Sequence, residues 1–479
     1  MEQTHQPDPT RNHQMITTLQ AERQASLQGR RTLLRLATAG SVDDGKSTLV
    51  GRLLFDTNSV LTDTLDSIKV ASRRKGLERA DLALLTDGLR AEREQGITID
   101  VAYRYFATTN RKYVLADCPG HVQYTRNTVT GASTAHVIVL LVDARKGVME
   151  QTRRHLAVAA LLRVPHVVLA VNKIDLVDFS EDVFNRIATD FALLARTLGV
   201  RDSHAIPVSA LEGDNVVTRS PRMTWYDGPT VLGYLESVDD TPLEIGESFR
   251  FPVQSVVRPQ SAGQAPWAAG APEVDADYRG YAGTVASGRV GVGEEVVVLP
   301  TGSRASVVGV DTPDGPLELA VAGRAVVLRL DRDLDVSRGA ILTSADAPPA
   351  LTRDLLGTVC WLTDRAASVG SRVLVQHGTS LTKAIVKQID GVLDLDFDAS
   401  SAPTWRSSDS LGLNDIGRVR LTLAAPLPVD PYREHRGTGS FILVDEADGW
   451  TLAAGMAGPS SLHTQAADPN DDIAEPVTT

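Results

Sequence analysis

Eight consecutive residues constrain this chain more than any other stretch. Gly40, Ser41, Val42, Asp43, Asp44, Gly45, Lys46 and Ser47 fit the phosphate-loop pattern G-x-x-x-x-G-K-[ST]. The pattern carries chemistry only between a strand and a helix, and both flanks comply. Residues 33–39 read as an apolar strand, and residues 48–55 read as a helix burying Leu49, Val50, Leu53 and Leu54. Gly40 and Gly45 let the backbone curl until successive N–H groups face one centre, an anion nest at a helix N-terminus. Lys46 brings a charge to the β- and γ-phosphates of a nucleotide, the Ser47 hydroxyl is a ligand for Mg²⁺, and Thr48 closes the phosphate-binding set.

Residues 31–238 alternate apolar strands (33–39, 101–107, 112–117, 136–143, 166–172, 204–208) with helical patterns (122–130, 152–162, 181–198). This predicts a doubly wound α/β domain with its ligand at the C-terminal ends of the strands. Three further stretches fall at those ends. Asp117, Cys118, Pro119 and Gly120 close the third strand, where a carboxylate holds Mg²⁺ through water and Gly120 offers its N–H to a γ-phosphate. His121 follows, placed where an attacking water would sit; without the phosphate loop it would read as a surface histidine at a helix start. Asn172, Lys173, Ile174 and Asp175 close the fifth strand. Asp175 is suited to accept from the N1–H and N2–H₂ edge of guanine, a donor pair that adenine lacks. Ser209, Ala210 and Leu211 close the sixth strand, where a backbone N–H meets the guanine O6.

Between the phosphate loop and residue 101 lies a charged insertion with helical patterns at 61–75 and 77–92, ending in Gly96, Ile97, Thr98, Ile99 and Asp100. Thr98 is placed to reach Mg²⁺ and the γ-phosphate, which makes this stretch the candidate switch. Arg73, Arg74 and Lys75 read as a solvated helix end rather than a phosphate patch. From residue 245 the pattern turns to short alternating strands. Residues 245–346 predict a small antiparallel barrel and residues 350–456 a second β domain, with a loose Ala/Gly/Gln/Pro-rich loop at 259–272. Residues 1–30 read as a polar extension, in which His5 and His13 lack metal-ligand partners, and residues 457–479 as a disordered acidic tail.

Composition narrows the rest. The length of 479 residues suits three domains, and 42% apolar content is enough for their cores. A net charge of −12 argues against binding nucleic acid by bulk charge. The two cysteines, Cys118 and Cys360, supply no disulfide framework and no zinc site. No apolar run is long enough to span a membrane, and no signal-peptide core is present. The expectation is a soluble, cytoplasmic protein.

The phosphate loop, Gly96–Asp100, Asp117–His121, Asn172–Asp175 and Ser209–Leu211, followed by two β domains, resemble the translation-factor class of GTPases over roughly residues 31–456. Within that class the chain is more similar to the GTPase subunit of bacterial sulfate adenylyltransferase than to tRNA-carrying elongation factors. Elongation factor Tu has histidines flanking the aspartate of its phosphate loop, where this chain has Gly40, Ser41, Val42, Asp43 and Asp44. Residues 45–56, residues 121–127 and the stretch from Asn414 to Phe441 carry the similarity, the last shared in part with archaeal and eukaryotic elongation factors. Val122 and His435 depart from that subunit's usual glutamate and asparagine.

The resemblance implies a P-loop GTPase domain followed by two antiparallel β-barrels, with GTP and Mg²⁺ bound. It implies catalytic roles for Lys46, Thr98 and His121, and metal contacts from Ser47, Thr98 and, through water, Asp117. It also implies a smaller catalytic subunit, related to adenine nucleotide α-hydrolases, as partner in a heterodimer or larger assembly. That subunit joins ATP and sulfate into adenosine 5′-phosphosulfate and pyrophosphate, and GTP hydrolysis drives the step. Some relatives carry a fused adenylylsulfate kinase, which a chain ending at Thr479 is expected to lack. No membrane or nucleic-acid partner is expected. Carriage of aminoacyl-tRNA stays open as the alternative, because elongation factor Tu is itself acidic.

Overall fold

The computed structural model describes residues 32–60, 66–68, 80–85, 101–121, 125–239, 243–258, 278–394 and 404–460, with the single residues 63, 70, 72 and 462. The first body is a six-stranded sheet of β1 (Thr32–Gly40), β2 (Ala102–Ala107), β3 (Arg111–Asp117), β4 (Val137–Asp143), β5 (His166–Asn172) and β6 (Ser203–Pro207). Its helices are α1 (Lys46–Asp56) after β1, α2 (Thr125–Ala132) after β3, α3 (Glu150–Leu161) after β4, α4 (Glu181–Thr197) after β5 and α5 (Val231–Ser237) after β6. The spatial order is β2-β3-β1-β4-β5-β6, parallel throughout except for the antiparallel β2–β3 pair.

All seven residues of β4 are buried. Ile138, Leu140 and Val142 enter one apolar cluster, and Val137, Val139 and Leu141 enter another on the opposite face. A strand covered on both faces has no polar side to show, so it reads as an unbroken apolar run. The sheet is built outward from β1 in both directions, to β3 on one side and β4 on the other. That reversal opens a crevice at the C-terminal end of β1, where open α/β sheets bind ligands.

The rest of the chain forms two closed barrels. In the first, the ring runs Glu295–Leu299, Ile341–Ser344, Arg250–Val257, Gly280–Thr284, Ala325–Leu330, Ser303–Thr312 and back to Glu295–Leu299. In the second it runs Arg372–His377, Ser440–Val444, Thr451–Ala457, Ala350–Trp361, Ile416–Val429, Ser380–Leu393 and back to Arg372–His377. Closure leaves no open edge within either ring. Gly288, Gly302 and Gly315, at turns between strands of the first barrel, all have positive φ.

Some local expectations change. Leu82–Leu85, inside the helical pattern expected at 77–92, is a 3₁₀ turn. Asp81 sets it, accepting the Ala83 N–H on its carboxylate at 3.2 Å and the Leu84 N–H on its carbonyl at 3.1 Å. The short elements α5 and Ile341–Ser344 escape a reading by periodicity; α5 starts at Thr230, whose hydroxyl accepts the Gly233 N–H at 3.0 Å. Leu462, assigned to the polar tail by sequence, is buried in the apolar cluster that also holds Leu161 and Leu162. Expectations for residues 1–31, 73–79, 86–100, 122–124, 259–277 and 463–479 lie outside the described residues.

The second barrel rests on the first body. The Tyr432 hydroxyl donates to the Leu162 carbonyl at 3.0 Å, and Arg163 donates to the Tyr432 carbonyl at 3.0 Å. The barrels are joined to each other by a buried ion pair, in which Arg250 donates twice to Asp430 at 2.9 Å. Thr438 adds a hydroxyl to the same carboxylate at 2.5 Å. Burial alone would raise the Asp430 pKa, but Arg250 and Thr438 outweigh it and hold the carboxyl below its ordinary value. Because the folded pKa is depressed, this stabilisation is present above the unfolded value of about 4 and is lost as pH falls through the folded one.

Arg250→Ala leaves Asp430 buried without its cation. It should destabilise the barrels by about 3–5 kcal/mol at pH 7, measured as a lower urea midpoint of the barrel transition. The double variant Arg250→Met with Asp430→Leu should recover much of that loss. A single-variant effect below about 1 kcal/mol would mean that the pair is not holding the barrels together.

Candidate functional site

Four loops meet at the C-terminal edge of the first sheet. The loop after β1 turns through Asp43, with φ 66°, and Gly45, with φ 92°. It is latched by Asp44, whose carboxylate accepts the Ser41 N–H at 2.7 Å. Burial raises the Asp44 pKa, opposed by that hydrogen bond and by Lys46. Gly45 is required twice over. Its φ is left-handed, and a Cβ there would lie 2.3 Å from Asn172 Nδ2. No side chain caps α1, so its first-turn N–H groups remain at the loop centre.

Lys46 is 7% exposed. Its ammonium donates to the carbonyls of Gly40 at 2.9 Å and Ser41 at 2.8 Å. Burial pushes its pKa down, while Asp117 and Asp44 pull it up. A buried cation beside uncapped helix N–H groups is a donor set that fits a phosphate chain. Ser47 lies next to it in the first turn of α1.

The loop after β3 presses onto this cradle. A Cβ on Gly120 would lie 2.2 Å from the Lys46 ammonium and 2.7 Å from the Gly40 carbonyl, so only glycine fits. Asp117 is buried and accepts the Thr38 hydroxyl at 2.9 Å. Cys118 contributes backbone only. Its thiol faces the core, donating weakly to the carbonyls of Ala116 at 3.7 Å and Asn127 at 3.8 Å, and burial pushes its pKa up. His121 is half-buried beside Gly120. Among the described residues no three His, Cys, Asp or Glu side chains group to hold a metal. The Ser47 hydroxyl and Asp117 carboxylate are nonetheless hard oxygen donors, the kind that Mg²⁺ takes in small number while keeping several waters.

The loops after β5 and β6 are tied to the phosphate loop by one side chain. Asn172 donates through Nδ2 to the Asp44 carbonyl at 2.7 Å and accepts the Ala210 N–H on Oδ1 at 2.9 Å. Lys173, with φ 60°, sets its ammonium 3.1 Å from the Asp143 carboxylate. Arg145 grips the same carboxylate at 2.9 and 2.6 Å and, with Lys173, holds it well below the usual range. Asp175 is half-buried in the first turn of the 3₁₀ segment Ile174–Val177. Ser209 and Ala210 are buried, and Leu211 is exposed.

The structure therefore brings together residues 40–48, 117–121, 172–175 and 209–211. Thr98, with the rest of 96–100, lies outside the described residues. Sequence reasoning missed Thr38, Asp143, Arg145 and Arg52, which hold the others in place. Thr38 and Asp143 had a signal, since each is a polar residue near the C-terminal end of an apolar strand. No helix among the described residues is long and apolar enough to cross a membrane.

Residues 31–244 match the family described as elongation factor Tu GTP binding domain, and residues 355–457 match the GTP-eEF1A C-terminal domain-like family. The chain is 48% identical over 426 residues to the bifunctional enzyme CysN/CysC of Mycobacterium tuberculosis, covering 89% of this chain and 67% of that protein. It is 46% identical over 442 residues to sulfate adenylyltransferase subunit 1 of Citrobacter koseri, covering 92% of this chain and 89% of that one. Among solved structures, sup35 complexed with GDP is 23% identical with a TM-score of 0.38, covering 89% of this chain and 94% of that one.

Proposed function

This chain belongs to the sulfate adenylyltransferase subunit 1 family of elongation-factor-Tu-like GTPases, and we propose that it hydrolyses GTP to drive sulfate activation on a smaller catalytic subunit. The observation that carries the GTPase part is the double hydrogen bond of Asn172, which joins the phosphate loop to the loops suited to a base. The sulfate part rests on the relatives' names and on 89% coverage of the C. koseri protein. The buried free thiols Cys118 and Cys360 accord with a reducing cytoplasm.

Each residue has a role in this reading. The backbone of residues 40–48 cradles the phosphates of GTP, and Lys46 swings from its carbonyl partners to the β- and γ-phosphates. Ser47 and Thr98, with Asp117 through water, would hold Mg²⁺, which would neutralise phosphate charge. Gly120 offers its N–H to the γ-phosphate. His121 holds the attacking water against the γ-phosphorus, so that the bond to the β–γ bridging oxygen breaks as the water oxygen bonds. Asp175 accepts from the guanine N1–H and N2–H₂, and Lys173, anchored on Asp143, lines the base. On the partner, a sulfate oxygen attacks the α-phosphorus of ATP and pyrophosphate leaves. The mixed anhydride formed there lies uphill, so GTP hydrolysis must share obligatory steps with its formation. A ligand that only shifts populations leaves another reaction's equilibrium constant unchanged. We assign the shared element to the stretch ending at Thr98, since a Thr98 hydroxyl that contacts the γ-phosphate would lose that partner on hydrolysis.

Asp175→Asn should weaken GTP by about 3 kcal/mol or more and make xanthosine triphosphate the better ligand, read by competition binding. Retained preference for GTP would remove Asp175 from base recognition. His121→Ala should hold GTP affinity within a few-fold and lower turnover on the order of 10²; equal losses in both would count against a role in placing water. Coupling is read from the final adenylylsulfate yield of the purified two-subunit complex. GTP should raise the plateau, whereas a non-hydrolysable analogue should change only the approach to it, and Thr98→Ala should bind GTP without raising it. One plateau under all conditions would discard energy coupling in favour of a carrier or regulatory GTPase.

A further inference from the structure

Helix α1 starts at the phosphate loop and carries Arg52 in its second turn. The Arg52 side chain leaves the helix and ends on the loop after β6, 158 residues further along the chain. Its Nε donates to the Ala210 carbonyl at 3.2 Å, and its Nη2 donates to the Leu211 carbonyl. Asp56, one helical turn on, faces the guanidinium at 3.6 Å, and the Phe55 ring lies 5.9 Å from it. The group is thus held from the helix side and spends its donors on two successive carbonyls.

The consequence lies in the peptide between Ala210 and Leu211. In a trans peptide the C=O and N–H point in opposite directions, so fixing the Ala210 carbonyl fixes where the Leu211 N–H points. The neighbouring donors are already committed. The Ser209 N–H goes to the Asp214 carbonyl at 3.2 Å, Ala210 to Asn172 at 2.9 Å, Glu212 to the Ser209 hydroxyl at 3.3 Å and Gly213 to the Ser209 carbonyl at 2.7 Å. Between Ser209 and Gly213, the Leu211 N–H is the one backbone donor that makes no hydrogen bond among the described residues.

We propose that Arg52 is a positioning residue for base recognition, gripping the Ala210 and Leu211 carbonyls so that the Leu211 N–H meets the exocyclic oxygen of a 6-oxopurine nucleotide. The inference rests on reading the site as a guanine-nucleotide site. It gives α1 a double task, with its N-terminus at the phosphates and its second turn setting the base loop. Arg52 touches neither phosphate nor base; it acts through the peptide that it holds.

The test compares wild type, Arg52→Met and Arg52→Lys in equilibrium binding of GTP, ITP, 6-thio-GTP and ATP. ITP keeps the C6 oxygen but lacks the 2-amino group. 6-Thio-GTP keeps the N1–H and 2-amino donors but offers sulfur, a weak acceptor, at C6. Arg52→Met, which keeps the apolar stem, should lose about ten-fold for GTP and for ITP, the worth of one good hydrogen bond, and stay within about three-fold for 6-thio-GTP. Arg52→Lys should recover part of the loss, since one ammonium still reaches a carbonyl. Equal losses for all three purines, or no loss for any, would overturn the positioning role. A wild type that binds ATP as well as GTP would instead overturn the guanine reading itself. Should Arg52→Met not fold, amide exchange on wild type decides. The Leu211 N–H should be protected by GTP and not by 6-thio-GTP, and equal exchange in both complexes would refute the proposal.

Discussion

One carboxamide holds the site together. Asn172 sits at the end of β5, buried, and spends its two polar atoms on two different loops, donating to the Asp44 carbonyl and accepting from the Ala210 N–H. Both bonds are made away from water, where a lost partner leaves a polar group stranded at a cost of about 1–3 kcal/mol. The phosphate loop and the loop after β6 therefore have one relative placement rather than several. The contact also explains the glycine at position 45, since any side chain there would displace Asn172.

Charge is arranged around that frame. Asp143 absorbs two cations, Arg145 and Lys173, and so fixes the lysine at the C-terminal edge of the sheet instead of leaving it in solvent. Lys46 is handled differently. Carbonyls hold it, and the nearby carboxylates of Asp44 and Asp117 act on it without forming an ion pair. Among the described residues its hydrogen bonds go to carbonyl dipoles alone, which suits it to an anion that brings full negative charge. Arg52 continues the same logic from the far side, tying α1 to the β6 loop. In the proposed reading, phosphate and base are thus held by a single rigid framework.

The barrels matter through their attachment. The Arg250–Asp430 pair, with Thr438, locks one barrel to the other through groups that are almost wholly buried. His435 faces Glu247 at 2.8 Å and so reinforces this junction. The second barrel meets the first body at Leu162 and Arg163, just beyond α3. Arg154 donates to the Asn414 carbonyl, Arg436 donates to the Ser133 carbonyl, and Cys360, Leu393, Ile416 and Met456 join the apolar cluster of the first body, so this contact is broad.

How much of this was legible in the sequence follows from how far each interaction reaches. The phosphate loop, the unbroken apolar run of β4 and the glycine turns of the barrels are local patterns. They depend on pleat, helix period and the freedom of φ, so a short window contains them. The α/β body followed by two β-barrels, and the order of the four loops along the chain, were readable for that reason. Short elements such as α5 and Ile341–Ser344 were not, because so few residues repeat the period too few times for it to stand out. The supporting residues were also hidden. Thr38 meets Asp117 across 79 positions, Asn172 meets Asp44 across 128 and Arg52 meets Ala210 across 158. An arginine in a helix looks the same in sequence whether it faces solvent or grips a distant carbonyl. The sequence by itself determined the longer elements, the phosphate-loop motif and the order of the four loops along the chain. Only the tertiary structure decided which donors are consumed internally and which remain for a ligand, because hydrogen-bond satisfaction is settled when distant segments are packed and water is excluded between them.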